Sequence, residues 1–176
     1  MNDFTEKLIE KKTILAGKVL NVRVDRVLLP NGKETTREVV THPGAVAVVP
    51  RLADGSIIMV RQYRYPVGEM LLEIPAGKLN YGEDPDDCAG RELEEETGYV
   101  AGKMTKLGSI YSTPGFSDEI LHLYMAEDLR QTAQNLDEDE FLAVETYSSQ
   151  DIRAMLADNI IQDAKSVAGL LLAGLK

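Results

Sequence analysis

The sequence predicts an α+β fold. Three observations carry this reading. Alternating or continuous apolar runs typical of strands fill the first third of the chain, a single strongly capped helix stands near the centre, and the C-terminal part is helical rather than a repeat of β–α units. At 176 residues the chain suits one domain, and a chain of that length buries roughly 70% of its extended surface without disulfide staples.

The elements follow in order. Residues 19–29 (VLNVRVDRVLL) alternate as a strand, Pro30-Asn31-Gly32-Lys33 is a turn because Asn-Gly reaches positive φ cheaply, and 34–41 (ETTREVVT) returns, so 19–41 reads as a β-hairpin. Residues 45–49 (AVAVV) have the continuous apolar character of a buried strand. Ala53-Asp54-Gly55 turns the chain into a strand over Ile57–Tyr65 that carries Arg61 and Arg64, and further strands are expected near 107–112, 119–126 and 142–147. The central helix spans Pro85 to Thr97, with Asp84 as N-cap, Pro85 in the first turn and Gly98 just past the end. A small helix at 149–157 is capped by Ser148 or Ser149, and a last helix over 162–175 starts near Asp163 and has an apolar body that reads as core.

Composition excludes several function classes. With 29 acidic and 19 basic residues the net charge is −10, which disfavours nucleic-acid backbones and anionic membrane surfaces alike. The single cysteine, Cys88, rules out an internal disulfide framework and a multi-cysteine zinc site. Apolar runs stop short of a membrane span, and Met1-Asn2-Asp3-Phe4-Thr5-Glu6 lacks the basic-then-apolar pattern of a signal peptide, so the expected location is the cytoplasm.

The acids are not evenly spread. Residues 83–96 hold eight of them against one base, Arg91. On a helix Glu92, Glu95 and Glu96 stand at i, i+3 and i+4, so three like charges share one face near a C-terminus whose dipole they also oppose. An isolated acid run is ordinarily a solvated face. Oxygen ligands clustered on a rigid element instead suit a hard divalent cation, Mg²⁺ or Mn²⁺. Arg91, four before Glu95, is placed to orient it.

The wider spacing favours the second reading. Gly77, Glu83, Arg91, Glu92, Leu93, Glu95, Glu96 and Gly98 match Gly-x5-Glu-x7-Arg-Glu-U-x-Glu-Glu-x-Gly-U, the Nudix box, with U aliphatic. The chain departs only at the last U, where Tyr99 stands at a packing position. It therefore resembles the Nudix hydrolases. The resemblance implies an α/β/α sandwich around a mixed sheet and metal-dependent hydrolysis of a nucleoside diphosphate linked to another moiety. It implies metal ligation by Glu92, Glu96 and the backbone carbonyl of Ala76, with Glu95 a further or bridging ligand and Glu83 and Arg91 supporting the box.

The resemblance narrows outside the box. Pro114 lies fifteen residues after Tyr99, in Ser112-Thr-Pro-Gly-Phe-Ser-Asp-Glu119. Pro30-Asn-Gly-Lys, Arg37-Glu38-Val-Val, His42-Pro-Gly-Ala-Val-Ala-Val, Arg61-Gln-Tyr-Arg64 and Glu73-Ile-Pro-Ala-Gly77 likewise look like the bacterial ADP-ribose pyrophosphatase branch. That branch implies substrate binding by Arg37, Arg64 and Glu119 beside Pro114, an arginine fork being well matched to phosphate. It also implies that the acidic run Leu136-Asp137-Glu138-Asp139-Glu140 closes over the substrate, with Glu138 as general base and Glu140 as metal ligand, two roles the pair can exchange. Alone, that run is a solvated loop, and Arg64 alone is an exposed strand residue.

The branch further implies a homodimer in which N-terminal strands cross over, residues 1–42 forming that element (19–41 its hairpin) and 43–176 the hydrolase domain. A residue among 1–30, Phe4 for instance, then stacks on adenine. The expected reaction converts ADP-ribose to AMP and ribose 5-phosphate. The alternatives are another nucleoside diphosphate derivative, such as NADH, a nucleotide sugar or a diadenosine polyphosphate, or a binding module without turnover. His42, His122 and Cys88 lack metal or nucleophile spacing and are expected to be structural.

Overall fold

The computed structural model describes residues 3–138 and 140–175. In chain order the elements are β1 (Lys7–Ala16), β2 (Asn21–Leu28), β3 (Glu34–Thr41), β4 (Ala45–Pro50), β5 (Ile57–Arg64), β6 (Glu69–Glu73), β7 (Ala76–Lys78), α1 (Pro85–Thr97), β8 (Tyr99–Tyr111), β9 (Ile120–Gln131), β10 (Leu142–Tyr147), α2 (Ser149–Ala157) and α3 (Ala164–Leu172). They form two compact units, one ending at Pro43 but taking in Tyr111–Ile120, the other comprising Gly44–Ile110 and the chain from Leu121 on.

In the first unit β1, β2 and β3 make an antiparallel sheet in that order. The expected hairpin is present, with Asn21 opposite Thr41 and Leu28 opposite Glu34, closed by a turn in which Gly32 takes φ 80°. The strand before it is an addition to the sequence reading. All ten residues of β1 are exposed, and its pairing with β2 is interrupted by register shifts at Leu8/Glu10 and Thr13/Leu15. Residues 111–120 join the far edge, where the Val40 amide donates to the Phe116 carbonyl (2.8 Å) and the Asp118 amide to the Val40 carbonyl (3.2 Å).

The second unit holds two sheets, β10-β5-β6 and β7-β4-β9-β8. The latter is mixed, since β4 runs parallel to β9 and antiparallel to β7. Every residue of β4 is buried, as its unbroken apolar sequence predicts for a strand covered on both faces. Val46 and Val48 pack with Cys88, Ala89 and Leu93 of α1 and with Tyr124 and Ala126 of β9. Ala47 and Val49 face the other way, into a core with Ile57, Met59, Leu72, Ile74, Ile152 of α2 and Leu170 of α3. Helices thus cover both sides of the sheets, the expected sandwich. Helix α3 is shorter than the predicted 162–175 because Gly174, at φ 88°, ends it. Its close approach depends on Gly169, where a Cβ would lie 2.8 Å from Ile74 Cδ1. Among the described residues no helix is long and apolar enough to cross a membrane.

Candidate active site

The site is organised by α1. Asp84 caps it by accepting from the Asp86 amide (2.8 Å), Pro85 opens it, and Gly98 closes it at φ 70°, its amide donating to the Glu94 carbonyl. The Tyr124 hydroxyl donates to Asp86 (2.6 Å) and so fixes the N-terminal turn against β9. Cys88, Ala89, Glu92, Leu93, Glu96 and Thr97 are buried. The apolar members are the anchoring face. The two glutamates are the exception, since carboxylates are rarely buried without a partner of opposite charge.

One cation serves three carboxylates. Arg91 donates through Nε and Nη2 to both oxygens of Glu83 (2.9 and 3.0 Å), and through Nη1 to Glu92 (2.7 Å) and Glu95 (2.8 Å). Glu83 also accepts from the Asn80 amide. The Arg91 contact, with that amide, holds the Glu83 carboxyl down at about 2. Among the described residues the Glu96 carboxyl accepts from a neutral donor alone, the Ala76 amide at 2.9 Å. Burial above all, with the charges of Glu92 and Glu140 added, pushes its carboxyl up to about 8. Burial also raises Glu92, against the opposing pull of Arg91, and Glu95 and Glu140 raise it further. Gly77 leaves a space that Glu92 uses, since a Cβ on Gly77 would sit 1.9–2.2 Å from the Glu92 carboxylate atoms.

The acidic loop is tied to the end of α1 by residues that sequence reasoning did not single out. The Asn135 amide donates to the Glu95 carbonyl (3.0 Å), the Thr132 amide to the Gly98 carbonyl (2.7 Å), and the Gln134 side-chain amide to the Glu96 carbonyl (2.5 Å). The last turn of a helix leaves carbonyls without intrahelical partners, and these donors meet them. Such contacts span more than 30 residues and have no signature in local spacing. Glu138 is exposed on the loop. Glu140 closes a turn through its amide to the Asp137 carbonyl (3.0 Å), and its charge reaches Glu92 and Glu96. Asp139 lies outside the described residues.

Arg64 leaves the end of β5 and grips Glu73 of β6 with both Nε (2.8 Å) and Nη2 (2.7 Å). Arg61 is occupied elsewhere, by Glu145 of β10. In the first unit Arg37 is held by Glu6 through two hydrogen bonds (3.0 and 2.5 Å). In the same unit Glu119 lies 3.4 Å from His42 Nδ1, and Pro114 sits in the turn closed by the Phe116 and Ser117 amides on the Thr113 carbonyl. His122 Nδ1 lies in hydrogen-bond contact with the Ser109 hydroxyl (2.9 Å). Burial pushes the Cys88 thiol up to about 12, which makes it a poor nucleophile.

A family model described as the NUDIX domain matches residues 41–170. The chain belongs to the Nudix family. The model of a nucleoside diphosphate sugar hydrolase N-terminal domain matches residues 6–40. This Nudix chain is 46% identical, over 100% of its length and 96% of the other's, to an ADP-ribose pyrophosphatase of Bacillus subtilis. It is also 46% identical, over 93% of its length and 90% of the other's, to a methanol dehydrogenase activator of Bacillus methanolicus. GDP-mannose pyrophosphatases of Yersinia are more distant, at 34% identity over 70% of this chain and 69% of the Yersinia enterocolitica protein. A crystal structure of an ADP compounds hydrolase superposes with a TM-score of 0.88 over 99% of this chain and 95% of that one; at 24% identity this likeness speaks for the fold.

The residues of this Nudix box suit a divalent cation. Among the described residues no three His, Cys, Asp or Glu side chains are gathered in metal-binding geometry, Arg91 and the Ala76 amide holding the glutamates instead. The donor chemistry nevertheless fits. Glu92 and Glu96 are buried, and burial together with their neighbours' charges raises both carboxyls, so that ionising the pair calls for more positive charge than the shared Arg91 supplies. A hard cation supplies that charge and takes oxygen ligands alone. The Gly77 space gives a direct test. Gly77→Ala is expected to displace Glu92 and to lower kcat/KM by about 100-fold or more, a loss of roughly 3 kcal/mol in transition-state binding. Gly90→Ala, on the same helix with open space at its Cβ, is expected to keep activity and to raise Tm, since alanine is favoured over glycine in a helix by about 1 kcal/mol.

Proposed function

We propose that the chain is a hydrolase that cleaves the pyrophosphate of ADP-ribose, giving AMP and ribose 5-phosphate. The observation that carries the hydrolytic reading is the buried carboxyl pair Glu92 and Glu96 beside the Ala76 amide. The choice of ADP-ribose rests on the similarity, along the whole chain, to the Bacillus subtilis pyrophosphatase.

Glu92, Glu96, Glu140 and the Ala76 carbonyl would hold divalent cations, Mg²⁺ or Mn²⁺, with Glu95 alongside. Such ions neutralise a pyrophosphate, polarise its phosphorus–oxygen bonds and lower the pKa of a bound water. The chain's own residues do the rest. Glu138, on the exposed loop, accepts the proton of the attacking water. Arg64 presents donors to the phosphates as negative charge builds. Arg37 and Glu119 serve the substrate's outer parts beside Pro114. Arg91 keeps Glu92 and Glu95 in place through its hydrogen bonds.

Two further parts of the proposal concern assembly and place. The exposed apolar residues of β1, Leu8, Ile9, Ile14 and Leu15, support a homodimer in which residues 1–42 cross to the partner and 43–176 form the hydrolase domain. The composition supports a cytoplasmic location without nucleic acid or membrane as partner.

A nucleotide sugar is the second reading, favoured by the match of residues 6–40 to the nucleoside diphosphate sugar hydrolase N-terminal domain and by the Yersinia relatives. A panel of ADP-ribose, NADH, GDP-mannose and a diadenosine polyphosphate, scored by kcat/KM with Mg²⁺, tests the choice. ADP-ribose is expected to lead by at least about tenfold, or roughly 1.4 kcal/mol. A lead for GDP-mannose would replace the reading, and no turnover of any member would favour a binding module.

A further inference from the structure

Behind Arg64 stands a row of charges that the box does not contain. Glu73, at the end of β6, is 1% exposed. One side of its carboxylate takes the Nε–Nη2 edge of Arg64 (2.8 and 2.7 Å). Its Oε2 also accepts from Lys165 Nζ, in the first turn of α3. Lys165 in turn lies 2.9 Å from Asp163 Oδ2. Asp163 is the N-cap of α3 and receives both the amide (3.0 Å) and the hydroxyl (2.6 Å) of Ser166. The Ser166 oxygen accepts from the Ile74 amide, one residue beyond Glu73 (2.9 Å). The row alternates in sign from Asp163 through Lys165 and Glu73 to Arg64.

A buried carboxylate directly behind a phosphate-binding arginine poses a problem. Paired alone, Glu73 would cancel much of the positive charge of Arg64 and weaken its hold on an anion. Lys165 sits on the same carboxylate, and Asp163 on Lys165. The Glu73 charge is shared between two cations, so Arg64 retains field for a ligand. The bidentate grip fixes the guanidinium plane and leaves the Nη1 side, on a side chain that is 40% exposed, for the phosphate.

We propose that Lys165 is a positioning residue for substrate phosphate: through Glu73 it orients Arg64 and preserves its charge, so that the start of α3 tunes pyrophosphate affinity without touching the substrate. The proposal rests on the reading of Arg64 as a phosphate ligand.

The test is kinetic, with ADP-ribose and saturating Mg²⁺, on full-length variants checked by thermal melting. Lys165→Met is expected to raise KM roughly tenfold, the scale of one charged hydrogen bond, with kcat changed less than KM. Lys165→Arg is expected to restore KM to within about twofold, since it keeps charge and donors. Lys165→Gln carries the same expectation as methionine should the latter not fold. In an Arg64→Met background the lysine substitution is expected to move KM by less than about twofold, the non-additivity of residues acting as a unit. An unchanged KM for Lys165→Met overturns the proposal, and so does an equal effect in both backgrounds. If Arg64→Met alone leaves KM unchanged, the reading of Arg64 fails and the proposal with it. If Arg64→Met raises KM while Lys165→Met does not, the proposal fails alone.

Discussion

Replacing Glu96 with glutamine is expected to abolish metal-dependent turnover while leaving a protein at least as stable as the parent. The side chains are nearly isosteric, and the amide oxygen can still accept from the Ala76 amide, so packing and that hydrogen bond survive. What is removed is one of two buried carboxyl groups placed to hold a cation. The expected fall in kcat is about 1,000-fold or more, some 4 kcal/mol of barrier. The stability half of the prediction has a pH signature in chelator-treated protein. The Glu96 carboxyl, pushed up to about 8 by burial, is protonated in the folded chain over a range in which the unfolded chain is ionised. Between about 4.5 and 8 the folded state therefore binds more protons, and stability falls as pH rises through that window. Melting curves across it are expected to show this downward slope for the parent and a flatter one for Glu96→Gln. Near-parental activity in the variant would remove Glu96 from the metal site, and a melting slope equal to the parent's would show that another group carries the titration.

Glu138→Gln is the second large effect. Glu138 is exposed, so the substitution should leave Tm within about 1 °C, surface changes of this kind falling within about 0.5 kcal/mol. A positioned general base contributes typically 100- to 10,000-fold, and kcat is expected to fall by an amount in that range with KM little changed. The contrast with Glu140→Gln separates the two roles. Loss of a ligand is expected to raise the Mg²⁺ concentration needed for half-maximal rate, and loss of the base is not. If the two variants show the reverse pattern, the base is Glu140.

The parts of this architecture written in the sequence are those set by neighbours along the chain. The ends of α1 are legible because a cap, a proline and a left-handed glycine act within one turn of themselves. The buried strand β4 is legible because both of its faces are covered and every side chain must be apolar. The box is legible because i, i+3 and i+4 spacing places carboxylates together without reference to anything else. By contrast, β1 carries no pattern, since all ten of its residues face solvent in this chain and no burial selects between its faces. Short β6, half exposed, likewise gives no clear alternation. The partners of the site residues are also silent. Glu73 and Lys165 meet across 92 positions, and Gln134 reaches Glu96 across 38. Ion pairs and side-chain hydrogen bonds of that reach depend on the completed fold, and one sequence holds no record of which acid finds which base.

The Asn135 amide on the Glu95 carbonyl also sets a leash. Glu138 is three residues beyond that knot, and three residues fully extended reach roughly 10 Å. However the acidic loop moves, its glutamate can sweep only a small sphere centred on the end of the helix that bears the box. The proposed base is therefore held near the carboxylates of the box, at a local concentration set by the length of the leash. Lengthening the leash would dilute the base without altering a single side chain.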